Sequence, residues 1–186
     1  TAFSGSEQGA IVSQTVVNEG NPYYNNTEGG NDTTDKVYLL SLSEAMNPDY
    51  GFCEYYSTYS ASRWVQPSDY AHARGAGINT ITDYAGNCMW LLRSPGGSTY
   101  SAAFVDWYGY VLSYGDVDVS RYACVPALHM NLSSDLWSMA DDGTSGGGGG
   151  GGAGTDPAPT GSSIRCAASG SVEAGSTGYV VSQVYG

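Results

Sequence analysis

Small and β-branched residues recur through the segment 98–122 (STYSAAFVDWYGYVLSYGDVDVSRY), with aromatic and polar residues between them. Apolar residues at every second position, with glycine between groups, are typical of short antiparallel strands joined by tight turns. The segment therefore predicts a sheet whose inward-facing frame consists of Ala102, Ala103, Val105, Gly109, Val111, Gly115 and Val119.

The positions between these frame residues carry mostly Tyr, Ser and Asp. Tyrosine offers a large rigid contact area with few rotatable bonds, and serine offers adaptable hydrogen bonds, so binding surfaces are rich in both. The alternative is a β-sandwich with aromatic residues buried on both faces. Asp106, Asp116 and Asp118 argue against that alternative, because unpaired carboxylates are rarely buried. We expect the tyrosine-bearing side to face water.

The composition excludes several classes of partner. The chain has 186 residues, of which 41% are hydrophobic, enough for one core. Its six Lys and Arg residues and formal net charge of −12 exclude nucleic acid and anionic membrane surfaces as partners. No apolar stretch reaches the length of a membrane span, so we expect no membrane insertion. The chain contains little Lys and much Tyr, Ser, Thr, Asn and Gly. This composition is typical of extracellular, cell-surface and virion proteins.

Local signals predict an α+β fold of short antiparallel strands, two or three short helices and long loops. A capping box at Ser4–Glu7 predicts the first helix. Further helices are expected over Leu42–Met46, with Ser43 as the cap, and over Tyr70–Arg74. Outside the Tyr-rich segment, strands are expected over Val37–Leu40, Met89–Gly96 and Cys124–Leu132, and a long polar loop over Asn18–Asp35.

The four cysteines, Cys53, Cys88, Cys124 and Cys166, form no CxxC pair, so no structural zinc site is expected. They allow three disulfide pairings. A bond between Cys53 and Cys88 is favoured in an oxidising compartment, and free buried thiols are the alternative.

The C-terminal quarter of the chain, residues 141–186, differs in composition from the rest. Seven consecutive glycines, Gly146–Gly152, disfavour both helix and packed strand, and no Lys-Ser/Thr follows them as in a phosphate-binding loop. We therefore divide the chain into a ligand-binding domain (1–140), a Gly/Pro-rich linker or loop (141–161) and a strand-forming segment (162–186). That segment either pairs back onto the main domain or belongs to a neighbouring module.

The sequence offers no converging set of catalytic groups. His72 and His129 lie among apolar residues and are expected to be structural, and Arg93 is expected to bind backbone carbonyls at the edge of the core. Acidic pairs at Asp116/Asp118 and Asp141/Asp142 are expected to be solvated, with calcium binding as the alternative. We expect no enzyme activity, no metal and no cofactor.

Four ordered motifs carry a resemblance: DKVYLLSLSEA (35–45), PSDYAHARGA (67–76), WLLRSPG (90–96) and VPALHMNLSS (125–134). They resemble surface domains of gut Firmicutes and their phages, which are similar to the formylglycine-generating-enzyme branch of the C-type lectin fold. The resemblance implies a C-type-lectin-like domain. This chain departs from the family pattern at Leu91, where a second Trp is usual, and at Val125, where Arg is usual. The copper-binding cysteine pair of the enzymes is not carried over.

Some members of that group resemble variable proteins of diversity-generating retroelements, in which replaced template adenines turn Asn codons into many others. Such replacement never yields Trp, Lys, Glu, Gln or Met. Among the positions of 98–122 that lie off the frame, only Trp107 falls outside the reachable set.

These observations predict a non-enzymatic display domain whose face binds a protein or glycan on another cell or particle, as a receptor-binding or adhesion protein. The alternative is a structural, self-assembling subunit of a surface filament or virion appendage. The expected ligand-binding residues are Tyr100, Phe104, Asp106, Trp107, Tyr108, Tyr110, Leu112, Ser113, Tyr114, Asp116, Asp118, Ser120, Arg121 and Tyr122.

Overall fold

The computed structural model describes residues 3–24, 27–131 and 134, together with the backbone of two strands at 165–166 and 177–183. The helices are α1 (Gly5–Ala10) and α2 (Asp69–Ala73), with 3-10 turns at Glu44–Met46, Pro48–Tyr50, Ala61–Arg63 and Thr82–Tyr84. The strands are β1 (Ile11–Val12), β2 (Gln14–Val16), β3 (Thr33–Asp35), β4 (Val37–Leu39), β5 (Trp90–Pro95), β6 (Ser101–Val105), β7 (Val111–Asp116), β8 (Ala123–Cys124), β9 (Pro126–Asn131), β10 (Arg165–Cys166) and β11 (Thr177–Gln183).

The mixed α+β prediction is confirmed: short, mostly antiparallel strands form three small sheets beside short helices and 3-10 turns. One sheet has the order β7-β6-β5-β8, in which β5 and β8 are parallel. A second has the order β1-β9-β11-β10, with β4 also paired to β9, and the third pairs β2 with β3. Among the described residues, no helix is long and apolar enough to cross a membrane.

The capping signals explain most of the helix boundaries. The Ser4 hydroxyl accepts from the backbone N–H of Glu7, and the Glu7 carboxylate accepts from that of Ser4, so the capping box starts α1 as predicted. The prediction that Ser43 caps the next turn is wrong. Ser41 caps the turn instead: its hydroxyl accepts from the backbone N–H of Glu44 at 3.0 Å, and the Glu44 carboxylate accepts from the backbone N–H of Ser41 at 2.8 Å.

The main core lies on one face of the β7-β6-β5-β8 sheet. Trp90 and Leu92 of β5, Val105 of β6 and Val111 of β7 are buried there, and the indole N–H of Trp90 donates to the Arg63 carbonyl. Strands β5 and β7 alternate between buried and more exposed residues, as expected for a sheet with one face toward the core. A smaller cluster joins Ile11, Leu128 and Met130.

Two expectations about the frame and the loops are wrong. Val119 is 36% exposed, because β7 ends at Asp116 and the chain turns away from the sheet before Val119. The polar segment 18–35 is not all loop, since β3 ends it and pairs with β2.

The three cysteines whose side chains are described, Cys53, Cys88 and Cys124, are free thiols, so the predicted Cys53–Cys88 disulfide is wrong. Cys88 is buried in the main core, and this desolvation raises the pKa of its thiol to about 11. The side chain of Cys166, the polyglycine run and Asp141/Asp142 lie outside the described residues.

Candidate binding surface

The face of the β7-β6-β5-β8 sheet opposite the main core carries a second apolar cluster. Register places Leu91, Phe104 and Leu112 side by side across β5, β6 and β7. The Phe104 ring meets Tyr114 edge to face at 5.4 Å between centroids, and meets Tyr122 at 5.2 Å. Tyr114 is 64% exposed above the buried Phe104. A rigid sheet therefore presents an aromatic outer layer to solvent.

The turn between β6 and β7 is held by its first residue. One carboxylate oxygen of Asp106 accepts from the backbone N–H groups of Tyr108 and Tyr110, both at 2.9 Å. The Gly109 N–H also donates to the Asp106 carbonyl at 3.0 Å. Burial raises the pKa of Asp106, and the N–H groups of the turn partly oppose that effect. Asp106 thus positions the turn that carries Trp107 and Tyr108.

A buried arginine, Arg63, also stabilises this turn. Arg63 is 1% exposed and donates to the Gly109 carbonyl at 2.8 Å. Its other N–H groups donate to the carbonyls of Ala45, Cys53, Tyr55 and Thr58. One side chain therefore joins the loop before it to the tip of the β6–β7 hairpin.

Gly109 is required at this junction. Its φ is +83°, and a Cβ there would lie 1.9 Å from the Ser60 carbonyl oxygen. The loop backbone can approach the hairpin this closely only because Gly109 has no side chain. The amide of Asn87 adds a bond to the Trp107 carbonyl at 3.2 Å.

A second ring cluster lies beside this turn. Tyr84 meets Tyr108 edge to face at 4.7 Å, and Trp64 at 5.8 Å. Tyr59, which is exposed, packs against both Trp64 and Tyr84. Tyr108 in turn contacts its neighbours Trp107 and Tyr110. Rings from three separate segments therefore form one cluster.

Trp107 joins the two clusters, because it also packs against the apolar group on the outer face of the sheet. We call the joined rings the aromatic surface. Its members are Tyr59, Trp64, Tyr84, Phe104, Trp107, Tyr108, Tyr110, Tyr114 and Tyr122.

The electrostatic environment of this surface disfavours added negative charge. Desolvation raises the pKa of Tyr84, and nearby Tyr59, Asp83, Tyr108 and Tyr110 raise it further. The pKa of Tyr114 is raised by desolvation first and then by Asp106. Both hydroxyls stay protonated near neutral pH and can donate or accept hydrogen bonds.

The predicted binding residues separate into three groups by exposure. Tyr100, at 68%, is exposed together with Tyr114, Asp118, Ser120 and Arg121. The half-buried group consists of Asp106, Trp107, Tyr108, Tyr110, Leu112 and Asp116. The buried group consists of Phe104, Ser113 and Tyr122, and for these three the expected exposure is wrong.

Each buried residue has a structural reason for its position. The Ser113 hydroxyl accepts from the Asn21 amide at 2.9 Å and from the Tyr56 hydroxyl at 3.3 Å, which ties two loops to β7. Phe104 and Tyr122 pack with one another under the outer residues of the sheet. Ser113 shares the buried side of β7 with Val111, so the alternation itself places it inward. For Phe104 and Tyr122 the sequence did not show how far neighbouring side chains would cover the rings.

Tyr59, Trp64 and Tyr84 were missed by sequence reasoning. They come from irregular loops and 3-10 turns outside the segment 98–122, where no alternation marks a face. The only signal available was the total of 16 tyrosines in a chain with 3 phenylalanines.

The residues considered for catalysis are engaged in structural bonds. Arg93 pairs with Glu44 and donates to the carbonyls of Leu39 and Val17, as expected for a core-edge residue. The His129 ring is bonded to the Tyr38 hydroxyl at 2.7 Å, and burial lowers its pKa. Within the described ranges, no group of three or more His, Cys, Asp or Glu residues is placed to hold a metal ion.

Comparison with known proteins places the first 132 residues in one family. The chain belongs to DUF6273. The family is described as a domain of unknown function, and its sequence model matches residues 1–132. No curated protein and no solved structure matches the chain. The DUF6273 region contains β1 to β9 and the whole aromatic surface, whereas β10 and β11 lie beyond it.

Proposed function

We propose that this DUF6273 domain is a non-enzymatic display module whose aromatic surface binds a protein or glycan on another cell or particle. The proposal includes a C-type-lectin-like fold and an extracellular, cell-surface or virion location, as the four sequence motifs imply. The observation that carries it is the continuous run of rings, partly exposed, on a braced hairpin and a rigid sheet.

Rigid support makes such rings effective in binding. An aromatic side chain that is already held loses little conformational freedom when a ligand covers it. Here Asp106, Arg63 and Gly109 hold the turn, and Phe104 supports Tyr114 from beneath. Exposed residues on a well-packed scaffold can also be substituted without loss of the fold. Both properties suit a display surface.

Charge narrows the class of partner. The chain carries a formal net charge of −12, and the exposed Asp83 and Asp118 lie in the segments that carry or adjoin the aromatic surface. A partner with positive potential would be attracted, and Arg or Lys side chains would gain further from contact with tyrosine faces. We expect association to slow as ionic strength rises.

The direct test replaces Tyr114 by alanine and measures capture of candidate partners. Tyr114 is largely exposed, so its loss should change the free energy of unfolding by less than about 1 kcal/mol. Because Tyr114 is an exposed ring of the proposed binding surface, its loss should weaken binding by at least roughly tenfold. Tyr108→Ala, on the braced turn, should act in the same direction.

Tyr55→Ala is the matched control, because Tyr55 is 60% exposed and lies outside the aromatic surface. Arrays of immobilised glycans and of surface proteins would be probed with the wild type and each variant. Equal capture by Tyr114→Ala, Tyr108→Ala and Tyr55→Ala would contradict the proposed surface. Capture on the glycan array alone would assign the ligand class.

A further inference from the structure

Strand β9 is built as an interior strand. Its residues Ala127, Leu128, His129 and Met130 are all buried. Leu128 and Met130 pack with Ile11 in the smaller cluster, while Ala127 belongs to the main core on the other face. A strand buried on both faces needs a neighbour along each edge, because unpaired backbone groups in such surroundings are costly.

Within the described part of the DUF6273 region, neighbouring strands pair along only one edge of β9. Strand β1 pairs with Met130 and His129, and β4 pairs with Leu128, Ala127 and Pro126 on the same side of the strand. The other edge is paired with β11, from Asn131 to Ala127. Since β11 begins at residue 177, this neighbour comes from outside the family region 1–132.

The sequence of β11 suits a strand that is added to an edge. From Ala174 to Gly186 the chain carries no charged residue and no proline. Tyr179, Val180 and Val181 favour extended backbone. A short uncharged strand of this composition pairs readily with any matching open edge.

The chain between β9 and β11 is much longer than their pairing requires. Thr177 lies opposite Asn131, so β9 ends and β11 begins at the same end of the pair. Strand β10 pairs with the other edge of β11 and moves with it. A tight turn would bridge these two positions, whereas residues 132–164, which precede β10, reach roughly 110 Å when fully extended. The β11 segment of one copy can therefore reach β9 of another.

We propose that the edge of β9 that pairs with β11 is a strand-acceptor site and that copies of this chain link by exchanging Thr177–Gln183. When β11 of one copy pairs with β9 of another, the register is the same as within a single chain. The equilibrium between monomer and linked copies therefore depends mainly on protein concentration. In a single chain, the tethered β11 faces its own β9 at an effective concentration on the order of 1 mM or below. The β11 of another copy has to compete with it at the concentration of the protein in solution. Exchange therefore operates where many copies are crowded together.

The first measurement uses the full wild-type chain across a concentration series with light scattering. We expect monomer at about 10 μM and a clear dimer fraction as the concentration approaches about 1 mM. Val180→Pro, which blocks strand pairing in the middle of β11, should abolish the dimer. Val180→Thr keeps the N–H and the branched side chain, so it is the matched control and should dimerise as the wild type does.

The second measurement uses a labelled peptide spanning 174–186. Val180→Pro leaves its own β9 edge open, so it should bind the peptide at least tenfold more tightly than the wild type. Near-ultraviolet circular dichroism checks that the variant remains folded. A wild type that stays monomeric to about 1 mM overturns exchange, and equal peptide binding by both chains overturns the acceptor site.

Discussion

Arg63 offers the sharpest test of how the loop and the hairpin are joined. Arg63→Met keeps an unbranched apolar stem and removes every donor to the five carbonyls that the guanidinium contacts. The bonds to Ala45 and Gly109 are fully buried, so those two carbonyls would be left without partners at about 1–3 kcal/mol each. The other three lie in partly buried positions where water can replace the donor at lower cost.

Burying the charged guanidinium costs free energy, as the lowering of the Arg63 pKa by desolvation shows. Methionine does not carry this cost, which offsets part of the loss. We expect a net loss of about 3 kcal/mol in the free energy of unfolding, which is roughly 10 °C in Tm. The assay is urea unfolding followed by tryptophan fluorescence, which reports on all four tryptophans, Trp64, Trp90, Trp107 and Trp137. Because the hairpin tip loses its fastening, ligand capture should also weaken.

Arg74→Met is the control, because Arg74 is an exposed cation near the end of α2 that contacts the Tyr70 ring and hydroxyl. It should change stability by less than about 0.5 kcal/mol. If Arg63→Met lies within 1 kcal/mol of the wild type, the five bonds do not hold the loop and the reasoning is refuted.

Two further predictions concern the same turn. Gly109→Ala should cost roughly 2–3 kcal/mol in thermal or urea unfolding, because its Cβ would lie 1.9 Å from the Ser60 carbonyl and its φ is +83°; a cost below about 0.5 kcal/mol would show that the loop moves aside easily. Asp106→Asn keeps an oxygen for the N–H groups of Tyr108 and Tyr110, so the turn should persist. Because the folded-state pKa of Asp106 is raised, the wild type should lose stability relative to Asp106→Asn as pH rises above the unfolded pKa of about 4, and parallel pH profiles would contradict this.

Local patterns predicted a good part of the fold. The capping box at Ser4 requires only residues three positions apart, so the start of α1 was readable without any tertiary contact. Alternation likewise indicated β5, β6 and β7 and the inward position of Val105 and Val111. The Ser43 cap failed because Ser41, not Ser43, stands three positions before Glu44, which is the spacing at which the two side chains bond each other's backbone N–H groups.

The sequence by itself determined the strand alternation, the first cap, the acidic charge and the concentration of tyrosine in one hairpin, because each depends on composition or on residues a few positions apart. Only the tertiary structure decided which rings reach solvent, since covering Phe104 and Tyr122 depends on neighbours from other segments. It also brought Tyr59, Trp64 and Tyr84 to the hairpin and placed β11 against β9. Those contacts join residues far apart in the chain, and irregular loops carry no periodic signal that records where they meet.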